Sequence, residues 1–142
     1  MSGFWRNWLA VWCGAVGVFG AVLVGGGLEV TSGPTRLIFD ILNGPMELDL
    51  NAQMRFSLAV MGAVTLGWAI TAAATIRAAI LLGERGTPIW RLLLGGVMVW
   101  FVIDTAMSIL TGYGNNAIPN LVLLTTFLVP IIRSGVLQQA RG

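Results

Sequence analysis

Nineteen consecutive residues, Leu92 to Leu110, carry a single charged side chain, the carboxylate of Asp104. At a rise of ~1.5 Å per residue, about 20 apolar residues match the ~30 Å hydrocarbon core of a bilayer, so this run reads as a membrane-crossing helix. Its full extent is read as 92–112, and three more apolar runs fall at about 9–28, 56–82 and 118–136. Only helices that satisfy their own backbone, or closed barrels, can span lipid, and runs of this length select the helix. The expected fold is therefore all-α: a polytopic membrane protein with a four-transmembrane-helix bundle, forming a single integral membrane domain over residues 1–142. With 56% hydrophobic and 10% charged residues, the chain has too few polar groups to coat a soluble globule.

The longest connection, Glu29 to Arg55, is too apolar for a plain loop. Thr31-Ser32-Gly33-Pro34 supplies a helix start, Leu37, Ile38, Ile41 and Leu42 recur at helical spacing, and Gly44-Pro45 supplies a stop. The pattern predicts a short amphipathic helix at about 34–43, lying on the outer membrane surface. Asn51 is placed to cap the second span. The first apolar run is longer than a signal-peptide core and lacks a small-x-small cleavage site, so it reads as a retained helix.

Arginine placement orients the chain. Arg6, Arg77, Arg85, Arg91, Arg133 and Arg141 fall on one side with Glu84, whereas Arg36 and Arg55 share the other with Glu29, Asp40, Glu47 and Asp49. The positive-inside rule makes the arginine-rich side cytoplasmic and places both termini there, as in a multi-pass protein of a bacterial inner membrane. Trp5, Trp8 and Trp90 are then expected at the cytoplasmic interface and Tyr113 at the outer one.

Several chemistries lack their residues. The chain has no lysine, no histidine and one cysteine, Cys13. An internal disulfide, a Cys/His metal site and a CxxC redox pair are thereby excluded, and the reading assigns no cofactor and no metal. A net charge of +2, dispersed over the chain, gives no footprint for nucleic acid. The bilayer is the one partner the composition demands.

What remains is polar character inside the membrane. A carboxylate at mid-span costs roughly 2.5–3.5 kcal/mol on insertion scales, so Asp104 is expected to face protein, water or a partner. Ser108 and Thr111 share its helix face, and Asn116 and Asn120 follow just after the turn into the fourth span. Arg55, or Arg36, is a candidate counter-ion reaching in from the second span or the outer loop. The candidate intramembrane site is thus Asp104, Ser108, Thr111, Asn116, Asn120 and Arg55, serving as hydrogen-bonded helix glue or as a proton or ligand site. Small residues four apart, Cys13, Gly17, Ala21 and Gly25 on the first span and Ala59, Ala63 and Gly67 on the second, predict close helix packing.

The stretch Val99-Trp100-Phe101-Val102-Ile103-Asp104-Thr105, with Ser108, Gly112, Asn116, Asn120 and Pro130, resembles a group of small four-span bacterial membrane proteins with no established activity. The likeness extends to Gly62-Ala63-Val64-Thr65-Leu66-Gly67-Trp68. It implies the four-span architecture and draws attention to Asp104, Ser108, Asn116 and Asn120. Without a nucleophile-base pair, metal set or phosphate loop, the leading expectation is a non-enzymatic accessory or packing subunit, self-associating or bound to another membrane protein. A small transporter or proton-coupled pathway centred on Asp104 is the alternative, and an intramembrane enzyme using Asp104 as acid or base is the third.

Overall fold

The computed structural model describes residues 1–43 and 49–138, and among them all regular structure is helical. Five α-helices follow in order: α1 (Gly3–Gly25), α2 (Gly33–Asn43), α3 (Ala52–Leu81), α4 (Thr87–Leu110) and α5 (Ala117–Arg133), with 3-10 turns at Glu29–Thr31, Gly83–Gly86 and Gly114–Asn116. Among the described residues, α1, α3, α4 and α5 are long and apolar enough to cross a membrane. The chain is an all-α multi-pass membrane protein with a short helix between its first and second spans. Gly44-Pro45, Glu47 and Arg141 lie outside the described residues.

Helix limits depart from the apolar runs for local reasons. Hydrogen bonding continues past the lipid-matched stretch, so α1 begins at Gly3 and carries Arg6 and Asn7 on its second turn. The amide of Met54 donates to Asn51 Oδ1 at 3.0 Å, which places the start of α3 at Ala52. Pro88 falls in the first turn of α4, where its missing N–H has no partner to lose, so that helix starts at Thr87, ahead of its apolar run.

The chain gathers into two compact units, Gly14–Ile70 and Met1–Cys13 with Thr71–Gly142, and both α1 and α3 run through the division. Within Gly14–Ile70, α1 and α3 meet backbone to backbone. A Cβ added to Gly20 would lie 2.9 Å from the Leu66 nitrogen and 3.0 Å from the Gly62 carbonyl oxygen. One added to Gly62 would collide with the Val24 nitrogen and the Gly20 carbonyl. Only glycine permits that approach. The contact line passes through Gly17 and Gly20 on α1, Gly27 just beyond its end, and Ala59, Gly62, Leu66 and Ala69 on α3. Of the expected four-spaced stripes, Gly17 and Ala59 lie on this line and Cys13 is buried, whereas Ala21, Ala63 and Gly67 are exposed. A strict i+4 row drifts by ~40° per step around a 3.6-residue helix, whereas alternating steps of three and four hold one face.

Beside that crossing, the end of α1 is closed by side chains. Thr35, fully buried, donates its hydroxyl to the Val22 carbonyl at 2.7 Å, Thr31 to Gly25 at 2.7 Å, and Arg55 Nη1 to Gly26 at 3.3 Å. The Val22 and Gly25 carbonyls also accept the Gly26 and Leu28 amides, each at 3.3 Å, so the hydroxyls add a shorter second bond where the helix ends. On α2, Phe39 packs with Met54 against Leu23, Leu50 and Leu58, whereas Leu37 and Ile41 are exposed. The helix is thus two-sided, with one face packed on this unit and the other open.

In the other unit the ties run from side chain to backbone. Pro130 cannot donate to the Thr126 carbonyl four residues earlier, and Trp8 Nε1 occupies that acceptor at 2.8 Å. One helical turn along α1, Trp12 Nε1 donates to Leu123 at 3.0 Å while its ring lies 5.1 Å from that of Phe127. Buried Thr87 donates to the Val136 carbonyl at 3.0 Å, and Arg91 to that of Leu137 at 3.3 Å. Trp90 is only 1% exposed, so its ring is packed in the core of this unit.

Candidate functional site

Asp104 lies two turns before the end of α4, and the turn that follows brings amides back over it. Helix α4 ends in a left-handed Gly112 (φ +89°), with the Tyr113 amide on the Ser108 carbonyl at 2.8 Å and the Gly112 amide on Ile109 at 3.2 Å. This paired closure needs φ > 0 at position 112, which glycine adopts without strain. The 3-10 turn Gly114–Asn116 then leads into α5, with Pro119 in its first turn.

That path sets Asn116 against Asp104. Asn116 Nδ2 donates to Asp104 Oδ1 at 3.0 Å and to Ser108 Oγ at 2.9 Å, while the Ser108 hydroxyl donates to the same Oδ1 at 3.2 Å. Three side chains thus close a ring of hydrogen bonds between α4 and the start of α5. Four residues further along, Asn120 Nδ2 donates to Thr105 Oγ1 at 3.2 Å. Asn120 and Ser108 are buried, and Asp104, Thr105 and Asn116 are half-buried. The two asparagines form two rungs on one side of α4.

Two of the six candidates stand apart. The Thr111 hydroxyl turns back to the Met107 carbonyl at 2.7 Å and is exposed, so it satisfies its own helix instead of the cluster. Arg55 pairs with Glu29 in the Gly14–Ile70 unit, and Arg36 reaches the same carboxylate at 3.5 Å. Both arginines considered as counter-ions for Asp104 are therefore committed to Glu29. Thr126 likewise bonds the Val122 carbonyl of its own helix at 2.7 Å.

Chemically, the ring is a clasp. Asp104 Oδ1 already accepts two donors, and the Ser108 hydroxyl both donates and accepts inside a part-buried contact. Among the described residues, no group of three His, Cys, Asp or Glu side chains lies close enough to hold a metal ion.

The opposite face of α4 is a second feature. Leu92, Gly96, Val99, Ile103, Ala106 and Leu110 are all exposed, and they succeed one another by steps of four, three, four, three and four. Such spacing keeps one face of the helix, the register that an a/d seam would use, and Gly95, Met98, Val102, Met107 and Ile109 beside it are exposed as well. On the far side Leu94 and Phe101 are half-buried and Ser108 is buried, so the covered face lies opposite the seam. Only 6% of the most apolar stretch within Gly83–Leu110 is buried, against 33% for α1, 22% for α3 and 28% for α5. An added Cβ at Gly96 meets nothing within 4 Å, unlike Gly20 and Gly62.

No protein-family model, curated protein or solved structure matches the chain.

Sequence reasoning missed two elements. The Trp8–Thr126 bond carried a signal, since Pro130 leaves one identifiable carbonyl without its helical donor. The α4 seam carried none, because nearly every position of that helix is apolar and the sequence does not mark which are covered.

Proposed function

We propose that the protein is a non-enzymatic accessory subunit of a bacterial inner membrane, with both termini cytoplasmic, that self-associates through the open seam of α4. The exposed heptad-spaced face of that helix carries the reading. Lipid tails are as apolar as leucine, so membrane helices associate by close packing, and a glycine within an a/d seam favours it. Copies of one chain share one topology. Their α4 helices therefore run parallel in the bilayer, as a self-complementary seam about a two-fold axis requires. The orientation rests on the arginines, since Arg6, Arg77, Arg85, Arg91 and Arg133 flank the spans on the side assigned to the cytoplasm.

The hydrogen-bonded state of Asp104 favours this reading over transport. Its role is to join α4 to α5 and so hold the seam straight, and Asn at position 104 keeps an Oδ1 acceptor for both donors. Asp104→Asn should leave the assembly intact and produce no change in proton flux across proteoliposomes.

The test is stoichiometry in liposomes, counted by single-molecule photobleaching at falling protein-to-lipid ratio. The native chain and Gly14→Leu, whose added side chain also enters open space on α1, should be oligomeric. Gly96→Leu should shift to the monomer. A native protein that is monomeric at every ratio, or two variants that behave alike, would contradict the proposal.

A further inference from the structure

Within the unit formed by Met1–Cys13 and Thr71–Gly142, a groove of about 450 Å³ runs between the first turns of α1 and the last turns of α3. Its polar residues are Arg6 and Asn7 on α1 and Arg77 on α3. All three are exposed, and neither guanidinium has an ion-pair or hydrogen-bond partner among the described residues. The rest of the lining is apolar. Ala10 and Ala73 are too short to close the space, while buried Leu9, Cys13 and Ile76 form its floor. By helical rise, Cys13 lies ~10 Å further into the bilayer than Arg6, and Ala73 ~6 Å further than Arg77.

Two cations at the mouth of an apolar channel that deepens into the membrane match one kind of molecule. We infer that this groove binds an anionic phospholipid, with its phosphate between Arg6 and Arg77 and one acyl chain along Ala10 and Ala73. Guanidinium pairs phosphate by two parallel N–H bonds, and Asn7 adds an uncharged donor. Arginines that merely anchor a helix end need only water and scattered headgroups, whereas here both cations share one groove with an acyl-sized wall. The site is independent of the α4 seam.

The experiment is lipid titration of the purified full-length protein in detergent, followed by native mass spectrometry. Phosphatidylglycerol, phosphatidylcholine and inorganic phosphate serve as probes. Phosphatidylglycerol should bind roughly tenfold tighter than phosphatidylcholine, and inorganic phosphate should not displace it, because the acyl chain holds it in place. Arg6→Gln with Arg77→Gln should remove the preference. Arg85→Gln with Arg133→Gln, an equal loss of charge elsewhere, should keep it. Ala73→Phe fills the channel while sparing both arginines, and it should weaken both lipids together. Equal binding of the two lipids by the native chain, an equal effect of the two arginine pairs, displacement by phosphate, or indifference to Ala73→Phe would each overturn the inference. All variants leave the buried floor intact, and helical circular dichroism with a single monodisperse peak is the condition for scoring them.

Discussion

The two compact units hold their helices together by different means. In Gly14–Ile70, α1 and α3 approach until backbone meets backbone at Gly20 and Gly62, and charged and hydroxyl side chains serve mainly to close the end of α1. In the unit of Met1–Cys13 and Thr71–Gly142, directional bonds do that work: indole to carbonyl at Thr126 and Leu123, and amide to carboxylate at Asp104. Both answer one problem, since lipid gives apolar side chains no reason to prefer protein. Steric fit is unforgiving of added atoms, and hydrogen bonding is unforgiving of lost donors. The first unit's close-packing glycines join two long helices, whereas in the second Gly86 packs on the Ala79 backbone at the turn into α4 and Gly96 meets nothing within 4 Å.

Substitutions should separate the two modes. The largest effect is expected at the glycine crossing: Gly62→Leu forces the α1 and α3 backbones apart and should lower stability by about 1–3 kcal/mol, read from reversible unfolding in mixed micelles. An equally stable Gly62→Leu protein would mean that the crossing tolerates separation. Next comes Asn116→Ala, which strips one donor from Asp104 and one from Ser108 and should lower stability by about 1–2 kcal/mol. Asp104→Asn should lose less than half as much. A larger loss for Asp104→Asn than for Asn116→Ala would show that charge, and not hydrogen bonding, holds α4 to α5.

The indole bond offers a sharper cut. Trp8→Phe removes the donor to Thr126 and should lose about 1 kcal/mol. In a Pro130→Ala background the helix regains its own amide for that carbonyl, so the same change should lose distinctly less, a coupling measured by a double-mutant cycle. Purely additive losses would break the link between Pro130 and Trp8. The smallest effect belongs to Glu29, whose side chain is 72% exposed between Arg36 and Arg55. Glu29→Gln should shift stability by at most about 0.5 kcal/mol, and raising the salt should shrink that difference further.

How far the sequence reaches can be seen residue by residue. Run length and Asn51 place α3, and Ser32-Gly33-Pro34 places α2, because propensity and capping act within a turn or two of the chain. The pairing of Asp104 with Ser108 is a local i+4 relation, and Gly112 announces the turn that returns Asn116. Arg55 is different: charge alone made it eligible for Asp104, and only folding shows that Glu29, nearer in the chain, takes it. Small residues announced close packing but not its face, since the choice between a four-spaced row and an alternating three-four row depends on how the partner helix crosses. The position of Trp90 near a helix end gave no sign that its ring would be fully packed. Legibility fades where the answer depends on a neighbour distant in sequence.

The proposal that copies meet through α4 is tested most directly by a cysteine scan of that helix in intact membranes. With Cys13 replaced by Ala, single cysteines from Leu92 to Leu110 would be oxidised, and disulfide-linked dimers counted at each position. The account predicts maxima at Gly96, Val99, Ile103 and Ala106 and minima at Leu94, Phe101 and Ser108, a period of about 3.5 residues. A flat profile, or maxima on the Ser108 side, would contradict it.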